Sequence, residues 1–103
     1  MKDKHGLQTE ALRQAEESLY AAIVSLRDDT ECRNFFQDLC TPAELQALVD
    51  RWAVVGLLRQ GLTYRDINQR TGVSVTTIGR VARFLAEGYG GYRTVAERLS
   101  PSA

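Results

Sequence analysis

Leu7, Ala11, Leu12, Ala15, Leu19, Ile23 and Leu26 fall at three- and four-residue steps. That spacing gathers them on one face and predicts a long amphipathic helix. Asp28-Asp29-Thr30 interrupts it, and Thr30 is expected to cap a short second helix holding Phe35, Phe36 and Leu39. Thr41-Pro42-Ala43-Glu44 is a stronger start signal. Thr41 caps, Pro42 takes the first helical position where its missing N–H costs nothing, and Glu44 completes a capping box. Leu45, Leu48, Val49, Trp52, Val55 and Leu58 line this third helix, and Gly61 is its expected stop. Thr63 caps a fourth helix, with Asp66 near the positive end of its dipole. Gly72 supplies a tight turn, and Ser74 caps a fifth helix from Val75 to about Glu87. After Gly88-Tyr89-Gly90-Gly91, the residues Tyr92, Val95, Ala96 and Leu99 mark a short last helix. No run alternates β-branched and polar residues, and no Asn-Gly or Asp-Gly turn occurs. The fold class is all-α, with five to six helices.

The chain has 103 residues, 44% of them hydrophobic, which sets the expectation of one globular domain over 1–103. Its apolar runs are too short to span a bilayer. Met1-Lys2-Asp3-Lys4-His5-Gly6 leads into a charged helix instead of an apolar leader, so a cytoplasmic protein is expected. Cys32 and Cys40 stand eight apart with no third cysteine and with His5 as the single histidine; this is no zinc constellation, and both thiols are expected to stay reduced. No metal or cofactor is implied. His5 has no partner visible in the sequence, and neither G-x-S-x-G, H-E-x-x-H nor a Gly-rich phosphate loop is present, so no enzyme is expected.

The net charge of zero conceals an asymmetry. Residues 1–40 hold five Lys/Arg against eight acids, net −3, and residues 41–103 hold eight Arg against five acids, net +3. Every basic residue in the second part is arginine, which pairs bidentately with phosphate or guanine. Between 63 and 85 four arginines face one aspartate.

That window reads as a helix-turn-helix over about 63–87: a short helix, a tight turn with Gly72, and a second helix. Ile67 and Thr71 are expected to face inward, Val73 to plug the angle, and Val75, Ile78, Val81 and Leu85 to anchor the second helix. Asn68 stands where a small residue is usual. With Ile78 inward and about 100° per residue, Thr76, Arg80 and Arg83 lie within about 40° of the opposite direction. These three, with Thr77 on the flank, suit the major groove, and Gly79 would let a phosphate approach the backbone. Thr63, Tyr64 and Arg65 open the first helix, where N–H groups, hydroxyls and an arginine can clamp the DNA backbone. The alternative is a solvated amphipathic face. Tyr64 suits a phosphate contact or plain surface equally, Trp52 fits core better than base stacking, and Arg93 and Arg98 fit solvated faces.

From Thr41-Pro42-Ala43-Glu44-Leu45-Gln46-Ala47-Leu48 through Thr76-Thr77-Ile78-Gly79-Arg80, with Phe35–Thr41, the sequence resembles the Trp repressor superfamily and its YerC/YecD-type, TrpR-related branch. The resemblance spans roughly residues 10–99. It implies an intertwined homodimer, with N-terminal dimerisation helices over about 7–40 and two helix-turn-helix heads in successive major grooves. A monomeric bundle is the alternative for the long first helix. The resemblance also implies an effector pocket: Arg51 and Arg80 match the arginines that sandwich the corepressor indole, and Thr41 matches a lining residue. Two positions depart, since Val81 stands where the repressor has Gly and Phe84 where it has Ser. Both would take up space that the indole needs, so L-tryptophan is not the expected effector.

The functional expectation is a sequence-specific transcriptional regulator, a repressor, effector-gated or constitutive, binding a palindromic operator as a homodimer. Its partners would be double-stranded DNA and a second copy, with no membrane. Two rivals stay open: a helical protein-interaction dimer whose helix-turn-helix does not read DNA, favoured by the zero net charge, and a replication-initiator type of DNA-binding domain.

Overall fold

The computed structural model describes residues 6–101, with side chains from residue 8 onward. The readings of Met1 to His5 and of the Leu7 side chain lie outside the described residues. Six helices follow one another: α1 (Gly6–Val24), α2 (Asp29–Leu39), α3 (Pro42–Arg59), α4 (Tyr64–Thr71), α5 (Val75–Glu87) and α6 (Gly91–Leu99). No strand occurs among the described residues. The chain falls into two compact units, 1–41 and 42–103.

In the first unit, α2 starts two residues earlier than expected. Asp28, not Thr30, is the N-cap, and its carboxylate accepts from the Glu31 N–H at 2.8 Å. Asp is as good a cap as Thr, and here it also meets the helix dipole with a charge. Among the described residues of this unit none is fully buried. Leu19, Ile23, Leu26, Phe35 and Phe36 are half-buried, whereas Leu12 is 63% and Val24 83% exposed.

The second unit has the core. Val54, Val55, Ile67, Val73, Ile78, Val81 and Ala96 are buried, and Leu57, Leu58, Leu62, Leu85 and Tyr92 pack around them. Helix α3 runs against α4, α5 and α6. Its apolar residues cover a wide arc. Val54, Val55 and Leu58 face the core, while Leu48, Val49 and Trp52 lie roughly 120° round the helix and are exposed. The expected stripe joined these two faces into one and omitted Val54. At its end Gly61 adopts φ 86°, with Gly61 N–H donating to Leu58 O and Leu62 N–H to Leu57 O. This pair of bonds is a Schellman closure, which satisfies carbonyls the helix leaves open. Arg59, in the last turn, ties α3 to α6: its guanidinium donates to Ala96 O and Ser100 O and pairs with Glu97 at 3.0 Å.

Candidate nucleic-acid interface

Helices α4 and α5 are started and joined as their residues dictate. The Thr63 hydroxyl accepts from Asp66 N–H at 3.1 Å, and the Ser74 hydroxyl accepts from Thr77 N–H at 3.1 Å. Each fills one of the donors that a helix start leaves open. Gly72 closes α4 at φ 75°, a conformation that a side chain would strain. The turn is then stitched by side chains. Thr71 Oγ1 donates to Ile67 O at 2.7 Å and accepts from Val73 N–H at 3.0 Å. Asn68 Nδ2 donates to Val73 O at 2.8 Å. The large residue at position 68 is thus a brace, and the sequence reading saw it as a departure.

Two inward expectations are corrected. Thr71 is exposed, and it holds the turn through its hydroxyl while contributing nothing to the core. Val75 is 54% exposed. The α5 residues that reach the core, Ile78, Val81 and Leu85, have a mean direction roughly 90° away from Val75. Val73 and Ile67 are buried as expected.

Opposite that core face, Thr76, Arg80 and Arg83 are exposed together on α5. No carboxylate among the described residues pairs with either arginine. Thr77 is half-buried, and its Oγ1 accepts from the Ser74 hydroxyl, so it belongs to the cap as much as to the face. At the start of α4, Thr63, Tyr64 and Arg65 are exposed. Gly79 is half-buried beside the Tyr64 ring: a Cβ there would stand 3.9 Å from Tyr64 Cε2. Tyr64 therefore lies between the two helices at the edge of that exposed face. Arg93 also does more than face solvent, since it donates to Leu85 O and Ala86 O and so caps the end of α5.

Beside this face lies an open cleft of 760 Å³, lined by Arg51, Trp52, Arg80, Phe84, Tyr89, Gly91, Tyr92 and Val95. Of the five residues expected around an effector, Arg51, Arg80 and Phe84 line it. Val81 does not: it is 1% exposed and packs in the core, because it projects from the same side of α5 as Ile78. Thr41 belongs to the first unit. Trp52 is corrected from core to cleft wall, 40% exposed with its ring centroid 6.3 Å from that of Tyr92. The Arg80 guanidinium lies over the Phe84 ring, 4.6 Å from its centroid. The tyrosines and Val95 escaped the sequence reading, since only the folding of α6 against α3 and α5 brings them to Trp52. Among the described residues no group of three or more His, Cys, Asp or Glu is placed to hold a metal, and no helix is long and apolar enough to cross a membrane. Cys32 and Cys40 are free thiols, the first exposed and the second half-buried.

Comparison with known proteins agrees with this geometry. The profile of the Trp repressor protein family matches residues 14–100. The uncharacterized protein YerC of Bacillus subtilis (strain 168) is 43% identical over 94 residues, covering 90% of each chain. A TrpR like protein from Eubacterium eligens superposes with a TM-score of 0.79 at 48% identity, over 84% of this chain and 89% of that one. A candidate Trp repressor from Staphylococcus aureus superposes with a TM-score of 0.82 at 39% identity, over 95% of this chain and 99% of that one. With the match extending from the middle of α1 to the end of α6 and the helix-turn-helix in place, the chain belongs to the Trp repressor family.

Proposed function

We propose that the protein is a sequence-specific transcriptional regulator, a repressor, that occupies a palindromic operator as a homodimer in the cytoplasm. Membership in a family of DNA-binding regulators supplies the class. The observation that carries the finer reading is the outer face of α5, where Thr76, Arg80 and Arg83 stand exposed with no carboxylate among the described residues neutralising the arginines. Arginine reads guanine O6 and N7 bidentately, and threonine bonds a base edge or touches a thymine methyl. Thr63, Tyr64 and Arg65 would hold the phosphate backbone. The Thr63 oxygen already accepts from Asp66 N–H, which leaves its hydroxyl hydrogen to donate to a phosphate. Gly79 and Thr77 complete the contact surface at its inner edge.

Dimerisation is supported by what each unit leaves uncovered. The described residues of 1–41 include no fully buried side chain, although Leu12, Val24 and Leu39 are apolar and largely exposed. On α3, Leu48, Val49 and Trp52 are likewise open. A second copy covering these faces supplies the apolar burial that one copy lacks. L-tryptophan is not part of this reading: the Phe84 ring already occupies one face of Arg80 in the cleft.

Selection from a random DNA library with the purified protein, at about 0.15 M salt, tests the proposal. The expected product is an enriched inverted repeat with half-sites about one helical turn apart. Its binding should weaken steeply as salt rises, because each phosphate contact releases counterions. The zero net charge favours the rival reading of a protein-interaction dimer. Active, dimeric protein that enriches no DNA, with or without cell metabolites, would decide for that rival.

A further inference from the structure

Resting on the DNA-reading function just proposed, the geometry points to Phe84 as a positioning residue for Arg80: its ring is a shelf that holds the guanidinium ready for a base before DNA arrives.

Residues 80 and 84 are one turn apart on α5. Helical side chains lean toward the N-terminus, so the side chain at 84 covers the turn that carries 80. The Arg80 Cζ lies 4.6 Å from the Phe84 centroid, within cation–π range. Arg80 is exposed, and no carboxylate among the described residues holds it. The ring contact is what restrains it. Phe84 itself is half-buried and lines the same cleft as Trp52 and Tyr92. A free arginine must give up rotamer freedom when it meets a base, and a guanidinium already fixed in plane gives up less. The contact therefore acts on affinity through Arg80 and touches no DNA itself.

Two variants and two readouts test this. Phe84→Leu keeps apolar volume and removes the ring, while Phe84→Tyr keeps the ring. On the operator enriched by the wild-type protein, Phe84→Leu should weaken binding about three- to tenfold, the worth of one partly exposed cation–π contact. The loss should concentrate at the base pair whose preference Arg80→Ala abolishes, and Phe84→Tyr should restore it. In an Arg80→Ala background, Phe84→Leu should change nothing further. In the free protein, the Arg80 Hε resonance should show a ring-current displacement that Phe84→Leu removes. The proposal is overturned if Phe84→Leu binds as wild type, binds more tightly, or loses affinity equally with and without Arg80. An Arg80 Hε at its ordinary position in the free wild type overturns it as well. Failure of the DNA reading shows differently, as a wild-type protein that enriches no DNA, and the positioning role falls with it.

Discussion

Gly79→Ala separates what α5 needs in order to fold from what it needs in order to bind. Gly79 is the fifth of the thirteen residues of α5, well inside the helix. Glycine there is about 0.8–1.0 kcal/mol less favourable than alanine. Packing does not require it: the added Cβ would lie 3.9 Å from Tyr64 Cε2, an ordinary van der Waals distance, with nothing closer. The backbone is helical, so no left-handed conformation demands glycine either. Alanine should therefore stabilise the protein by about 0.8–1.0 kcal/mol, raising Tm by about 4–8 °C for a domain of this size. Circular dichroism melts at matched protein concentration measure this, since association would make Tm depend on concentration. If the backbone at Gly79 approaches a phosphate, the same methyl group should weaken operator binding by about 1–3 kcal/mol, the usual cost of forcing a group into a packed contact. A rise in Tm together with a loss of affinity is the expected result. Unchanged affinity would remove Gly79 from the interface, and a lowered Tm would refute the packing argument.

Four further outcomes follow from the same structure. Gly72→Ala should cost about 1–2 kcal/mol, because the residue must keep φ near 75°; Gly72→Asn should cost less in the same denaturant titration, since Asn visits that region more readily. Ile67→Ala, at a position with no exposed surface, should cost about 2–5 kcal/mol, and a smaller loss would mean that the core around α4 collapses to fill the space. Arg80→Ala should lower operator affinity by about 1–3 kcal/mol and blur one base pair, whereas an equal loss on every sequence would make Arg80 a phosphate clamp. Calorimetry with L-tryptophan should give no saturable heat, and micromolar binding would show that Phe84 yields its place.

The second half of the chain was legible because its signals are local. Caps at Thr63 and Ser74 and the turn at Gly72 depend on residues a few positions apart, and each stands where its chemistry puts it. Of the candidate DNA-facing residues, those on α5 follow from one periodicity and those on α4 from its start signal. What escaped depends on contacts distant in sequence. Arg59 meets α6 nearly forty residues away, and Trp52 meets Tyr92 across the cleft. The direction of the core was the other gap. Periodicity on α3 registers apolar positions without saying which side is covered, so Trp52 was placed inside and Val54 was missed. The same holds for Val75, apolar but a quarter-turn off the buried line, whereas Val81 anchors α5 in the core as its periodicity predicts and does not line the cleft that the resemblance implied for it. Asn68 read as an anomaly because its bond to Val73 O exists only once the turn has formed.

The stitches at Thr71 and Asn68 make the elbow between α4 and α5 a stiff bracket, with both arms pinned to the shared core at Ile67, Val73 and Ile78. A helix-turn-helix braced in this way would meet a surface as one rigid piece. On the DNA-reading proposal, changes at Thr76, Arg80 or Arg83 would then alter which bases are preferred while leaving the angle between α4 and α5 as it is.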